Sequence, residues 1–249
     1  MEFDQALKVT KPLGPTQFVV AFTACFLSAV SSWVNLSNVF LTEVSEFHCR
    51  RSPGLTLGES VPMEENGMSY AKCDQYVNLN LSADIEDCTN GWEYDTELFG
   101  ESVTTEFDLV CDRASFPGIS QSIIIAGIGA GNIIWGPLAD RWGRRPTFIT
   151  ALILFNIAGL AIAFSSSYVM FASLRFLWAF FHLGSWLPGM ILFIEYLVPE
   201  HRSTVGNLPG LFFTVGLLTL SGLAYLVQDW RWFSACLVVP TIIAIPFIW

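Results

Sequence analysis

Six long stretches without a charged side chain divide this sequence. They cover residues 12–42, 114–139, 146–174, 176–194, 203–228 and 232–249. A helix needs about 20 apolar residues to cross the hydrocarbon core of a bilayer. We therefore predict six transmembrane helices, at Phe18–Leu41, Phe116–Leu138, Thr147–Phe164, Tyr168–Val198, Thr204–Val227 and Phe233–Trp249. Only 14% of the 249 residues are charged, too few to cover a soluble helical bundle with polar outer faces.

The charged residues are concentrated in one segment. Residues 42–115 hold 16 acidic and 4 basic side chains, whereas the remainder of the chain holds 6 and 8. This acidity excludes a nucleic-acid binder. The fold class we predict is an all-α integral membrane protein with a large loop. Its segments are an N-terminus at 1–17, the first span at 18–41, the loop at 42–115, and spans two to six within 116–249.

Lysine and arginine set the expected orientation. Lys8 and Lys11 precede the first span, Arg141, Arg144 and Arg145 separate the second from the third, and Arg202 follows the fourth. These segments share one side of the membrane, and the short links opposite hold only Arg231. The positive-inside rule then predicts a multi-pass plasma-membrane protein with a cytoplasmic N-terminus and an extracellular loop.

The loop has features typical of a segment that lies in an oxidising compartment. It contains four cysteines, Cys49, Cys73, Cys88 and Cys111, which predict two disulfides with three alternative pairings. Asn80-Leu81-Ser82 is a glycosylation acceptor. A zinc site is the rival interpretation, but no CxxC pair exists and His48 is the only histidine nearby. We predict no metal.

No enzyme signature is present. The chain lacks GxSxG, HExxH and GxxxxGK[ST] sequences, so we predict neither catalysis nor a cofactor. Gly127-Ile128-Gly129-Ala130-Gly131 lacks the spacing of a dinucleotide-binding turn. We interpret these small residues as a place where two membrane helices approach closely.

Charged groups at the edges and inside of the spans are the candidates for function. Asp140 lies among Arg141, Arg144 and Arg145 at a tight turn, where a carboxylate can latch helices together and release them. Glu195 can pair with Arg144 or Arg145, or it is simply a solvated helix end. Inside the fourth span, Arg175 either snorkels outward or lines a cavity. His182 shares its helical face and is more often a packing residue.

Two segments carry a resemblance to a known family. Residues 136–146 resemble the signature between the second and third helices of the major facilitator superfamily. Residues 88–95 and 104–112 resemble the end of the extracellular loop in its organic cation/anion/carnitine transporter family. Weaker matches lie at Gly14, Gln17, 175–177, 195–202 and 229–231, while Pro15 and Phe107 depart from the family pattern.

The resemblance implies a twelve-helix fold that works by alternating access, of which this chain is the N-terminal half, apparently truncated. It implies a cytoplasmic gate network of Asp140, Arg141, Arg144, Arg145, Glu195 and Arg202. From the residues themselves we infer cavity candidates, namely Asn35, Asn38, Gln121, Asn132, Arg175, Trp178 and Trp186. The aromatic candidates suit a lipophilic cation.

The predicted function is transmembrane transport of a small organic ion, which is a cation, a zwitterion such as carnitine, or an anion. The alternative is a non-transporting truncated membrane protein that binds or regulates a full-length transporter. A third hypothesis is an adhesion or receptor role of the loop. The expected partners are the lipid bilayer, the organic ion, and the missing C-terminal half or a full-length relative.

Overall fold

The computed structural model describes residues 15–51, 54, 56–63, 69–76, 85–95, 100–196 and 205–244. The chain divides into two compact units. One unit holds residues 1–40 and 118–249, and the other holds Leu41–Pro117. The first unit contains the long helices, and the second contains short strands and turns.

Within the described residues, six long helices follow the charge-free stretches. They are α1 (Pro15–Leu41), α2 (Phe116–Trp142), α3 (Arg144–Ile162), α4 (Tyr168–Tyr196), α5 (Leu208–Leu226) and α6 (Trp230–Ala244). Helices α1–α5 are each long and apolar enough to cross a membrane. The described part of α6 has 15 residues, and residues 245–249 of the predicted sixth span lie outside the described chain. The prediction of an all-α membrane bundle is confirmed, since helices satisfy their backbone hydrogen bonds internally, as lipid requires.

The turn between α2 and α3 is shorter than the sequence indicates. Helix α2 runs through Pro137, passes the expected end at Leu138 and continues to Trp142. Gly143 alone then connects it to α3, with φ 90° and ψ 150°. Glycine tolerates this conformation because it has no Cβ. The Thr147 hydroxyl donates to the Gly143 carbonyl oxygen at 2.8 Å and closes the first turn of α3.

Helix α2 approaches α4 at two of the glycines that the sequence singles out. A Cβ added at Gly127 would lie 2.6 Å from the Phe176 carbonyl oxygen, and one at Gly131 would lie 2.8 Å from Leu183 Cβ. Gly129, between them, faces open space. The interpretation of this segment as a close helix contact therefore agrees with the structure.

The described part of the second unit contains two small antiparallel sheets. Its strands are β1 (Phe47–Cys49), β2 (Asp74–Tyr76), β3 (Ile85–Asp87) and β4 (Trp92–Tyr94), with β1 paired to β4 and β2 to β3. One-turn helices lie at Leu57–Ser60 and Val103–Glu106, and a 3-10 turn lies at Cys111–Arg113. Two disulfides, Cys49–Cys88 and Cys73–Cys111, are interlaced along the chain. The Cys49–Cys88 bond links the end of β1 to the residue after β3, so it ties the two sheets together.

Side-chain hydrogen bonds hold the last part of this unit. Ser102 and Thr105 cap the helix Val103–Glu106 reciprocally, and the Ser102 hydroxyl also donates to the Glu43 carbonyl oxygen at 2.9 Å. The Tyr94 hydroxyl donates to Asp108 Oδ1 at 3.0 Å. Burial, and then this bond to a carboxylate, raises the pKa of Tyr94 well above its usual range. Asn80, the expected glycosylation acceptor, lies outside the described residues.

Candidate functional site

Polar side chains join α1 to α4 inside the first unit. The Arg175 Nη2 atom donates to Ser37 Oγ at 3.0 Å, and His182 Nε2 lies 3.1 Å from Ser31 Oγ. Arg175 and His182 are two turns apart on one face of α4. The serine with the higher number pairs with the lower-numbered α4 residue, so the two helices run antiparallel.

Arg175 is a buried charge. Its side chain is 1% exposed, which excludes the snorkelling alternative. The guanidinium carbon lies 5.8 Å from the centre of the Phe171 ring and 5.1 Å from that of Trp178. Among the described residues, its Nε has no hydrogen-bond partner and no carboxylate forms an ion pair with it. A fixed positive charge thus lies within the membrane helices, held by a hydroxyl group and two aromatic faces.

Three of the amide candidates lie where α1 meets α2. The Ser120 hydroxyl donates to Asn38 Oδ1 at 3.0 Å, and both residues are buried. Gln121 Nε2 donates to the Asn35 carbonyl oxygen at 3.4 Å. Asn132, by contrast, lies on an exposed face of α2. The structure therefore places Asn38 and Gln121 in two separate polar contacts between α1 and α2. The Asn35 amide instead donates to the Ser31 carbonyl oxygen of its own helix, and Asn132 makes neither contact.

The two tryptophan candidates lie in helix contacts. Trp178 is buried and stacks on Phe155 of α3, with ring centres 5.2 Å apart and an interplanar angle of 13°. Trp186 packs against the buried cluster of Trp135, Ala151 and Leu183. Both rings fill space between helices, whereas Arg175 and Gln121 make hydrogen bonds to α1.

The charged residues of the hairpin divide into a paired group and an exposed group. Arg144, at the start of α3, forms an ion pair with Glu195 near the end of α4. The two side chains are 32% and 47% exposed, so water screens the pair, which is worth about 1 kcal/mol or less. Asp140, Arg141 and Arg145 are exposed. Arg202 lies outside the described residues.

Sequence reasoning missed the hydroxyl partners on α1 and α2. Ser31 and Ser37 hold His182 and Arg175, and Ser120 holds Asn38. The available signal was the number of serines in one apolar helix, since α1 also contains Ser28 and Ser32. A further contact joins α1 to α5, where Trp33 Nε1 donates to the Gly216 carbonyl oxygen at 2.9 Å. Helix α1 therefore carries polar contacts to α2, α4 and α5.

Comparison with known proteins places this arrangement in a family. The family model of the Major Facilitator Superfamily matches residues 105–249. Organic anion transporter 3 of Oryctolagus cuniculus is 32% identical over 248 residues, which cover 96% of this chain and 45% of that protein. Organic anion transporter 3 of Sus scrofa is 34% identical over 214 residues, covering 83% and 39%. Solute carrier family 22 member 6-A of Xenopus laevis is 29% identical over 272 residues, covering 100% and 49%.

The chain spans about half the length of the curated relatives that it matches. The superfamily match covers α2–α6 and the hairpin between α2 and α3, and the similarity to organic anion transporters extends over α1 and the disulfide-bonded loop. The membrane helices and these relatives agree on a multi-pass membrane protein. This chain belongs to the major facilitator superfamily.

Proposed function

We propose that the chain forms the N-terminal six-helix bundle of a transporter that moves small organic anions across the plasma membrane by alternating access. The observation that carries this proposal is the buried guanidinium of Arg175, which lacks a carboxylate partner among the described residues. The relatives named organic anion transporters support the same substrate class. The cytoplasmic N-terminus and the extracellular position of residues 42–115 are parts of the proposal.

The preference for an anion follows from electrostatics. A charge within a membrane helix is costly unless it meets a partner or water. The Ser37 hydroxyl is a neutral acceptor and leaves the charge of Arg175 uncompensated. A substrate carboxylate would compensate that charge and accept from its guanidinium, whereas an organic cation would be repelled. Asn35, Asn38 and Gln121 would supply further polar contacts from α1 and α2.

The gate network would work through weak contacts. We infer that Asp140, Arg141, Arg144, Arg145, Glu195 and Arg202 hold the cytoplasmic ends of the helices together when the transporter is closed to the cytoplasm. The half-exposed pair of Arg144 and Glu195 suits this task, because an ion pair of this strength breaks at small cost when the helices move.

An uptake experiment tests the substrate class. The chain is expressed together with the part of the rabbit Organic anion transporter 3 that it does not match, and labelled organic anion, organic cation and carnitine are offered. We expect saturable uptake of the anion above that of cells expressing either piece alone. Absence of uptake in cells where both pieces reach the surface, or uptake of the cation alone, would contradict the proposal.

The alternative of a regulatory protein has its own outcome. If the chain co-purifies with the complete rabbit transporter and alters its uptake, but supports none with the complementary half, a binding protein is the better description. The same cells serve both comparisons.

A charge exchange between α3 and α4 tests the Arg144–Glu195 ion pair in the uptake experiment. Arg144→Glu and Glu195→Arg should each lower uptake several-fold, because each places like charges where an ion pair stands. The double exchange should recover most of the loss. Arg113→Glu, an exposed charge in the loop, is the control and should leave uptake unchanged. An equal loss of uptake in the double and single variants would show that the Arg144–Glu195 pair takes no part in gating.

A further inference from the structure

The hairpin between α2 and α3 exposes both charge and an aromatic ring. Arg141 and Trp142 end α2, and Arg145 is the second residue of α3, with Gly143 as the connection. Trp142 is 64% exposed, and both arginines are exposed. We call Arg141, Trp142 and Arg145 the hairpin patch.

The charges around the hairpin patch leave it positive. Arg144 is paired with Glu195, so that charge is already compensated. Within the described parts of the chain, neither Arg141 nor Arg145 forms an ion pair. The remaining carboxylate on the hairpin is Asp140, which is exposed and also forms no ion pair with a described residue. Two arginines therefore face one carboxylate.

The position of the hairpin patch determines what can meet it. Helices α2 and α3 are each long and apolar enough to cross a membrane, so we place the one-residue turn that joins them at the level of the lipid headgroups. Tryptophan favours this level, because its ring is apolar and its N–H is polar. Arginine binds phosphate oxygens with two parallel N–H groups. An anionic leaflet attracts such side chains within a Debye length of its surface.

We propose that the hairpin patch binds the headgroup of an anionic phospholipid, with Arg141 and Arg145 on its phosphate and carboxylate oxygens and Trp142 beside its glycerol region. This inference rests on the proposed function only for the cytoplasmic side of the hairpin. Asp140 opposes the binding, since it adds a negative charge next to Arg141. The site is separate from the buried guanidinium of Arg175 and needs no substrate.

Native mass spectrometry of the purified 249-residue chain tests this site directly. The chain is titrated with phosphatidylserine, with phosphatidylcholine, and with soluble glycerophosphoserine. We expect a saturable complex with phosphatidylserine that is tighter than the complex with phosphatidylcholine. Binding of the soluble headgroup with equal affinity would assign the site to free phosphates and overturn the lipid proposal.

Matched variants separate the site from general lipid adhesion. Arg141→Gln with Arg145→Gln should weaken phosphatidylserine binding by about 30-fold. Arg50→Gln with Arg113→Gln removes the same number of exposed charges from the loop and should change nothing. Asp140→Asn should strengthen binding several-fold, a gain that a misfolded protein would not show. Equal binding of the two lipids, or no response to the hairpin variants, would refute the site without touching the transport proposal.

Discussion

Gly184→Ala is expected to destabilise the packing of the membrane helices, although it adds only one methyl group. A Cβ at this position would lie 2.5 Å from Trp135 and 2.6 Å from Ala151 Cβ. Both neighbours are buried, and Trp135 is fixed by the bond from its Nε1 to the Phe180 carbonyl oxygen at 2.9 Å. Because α2, α3 and α4 meet there, the backbone must move, at a cost of about 1–3 kcal/mol.

The control for this variant is Gly222→Ala on α5, where a Cβ would meet nothing within 4 Å. Both substitutions raise helix propensity equally, so the difference between them isolates the packing. The measurement is the temperature at which half of the detergent-solubilised chain leaves the monodisperse peak in size-exclusion chromatography. Equal midpoints for the two variants would show that the α2–α3–α4 contact is not as close as described.

Arg175→Gln is expected to remove most anion uptake in cells that express the chain together with the complementary part of the rabbit Organic anion transporter 3. Glutamine can still donate to Ser37 but carries no charge, so it cannot compensate a substrate carboxylate. A hydrogen bond to a charged group is worth about 1.5–3 kcal/mol, which corresponds to a loss of about 10- to 100-fold. Arg175→Lys keeps the charge and should retain part of the uptake.

Ser37→Ala provides the matched control for Arg175. It removes the hydroxyl partner but leaves the guanidinium, and uptake should fall less than in the Gln variant. Surface biotinylation checks that each variant reaches the membrane. A Gln variant at normal surface level with unchanged anion uptake would separate the buried charge from substrate selection.

The helices could be predicted from the sequence because lipid imposes a simple rule. An uncharged segment that lies in lipid must satisfy its backbone hydrogen bonds internally, which a helix does. Helices α1–α5 follow such segments closely. The end of α2 was less predictable. A proline often marks the end of a helix in soluble proteins. Pro137 only removes one N–H donor here, and α2 runs on to Trp142.

The partners of the candidate residues depend on tertiary contacts that local patterns do not encode. Arg175 and His182 were recognisable as two groups on one helical face, but Ser37 and Ser31 lie far away in the sequence. Trp178 as a cavity candidate was chosen by residue type, and its stacking on Phe155 depends on how α3 packs against α4. The disulfide pairing was one of three, and only the arrangement of the four strands distinguishes them.

The central claim of the proposed function is that the disulfide-bonded loop and the arginine hairpin lie on opposite sides of the membrane. Proteolysis of intact cells measures this directly. Trypsin added outside should cleave the loop at Arg50, Arg51 or Lys72, releasing a C-terminal fragment once the disulfides are reduced. The hairpin at Arg141–Arg145 should stay uncut until the cells are permeabilised. Cleavage of the hairpin in intact cells, with the loop protected, would contradict the account.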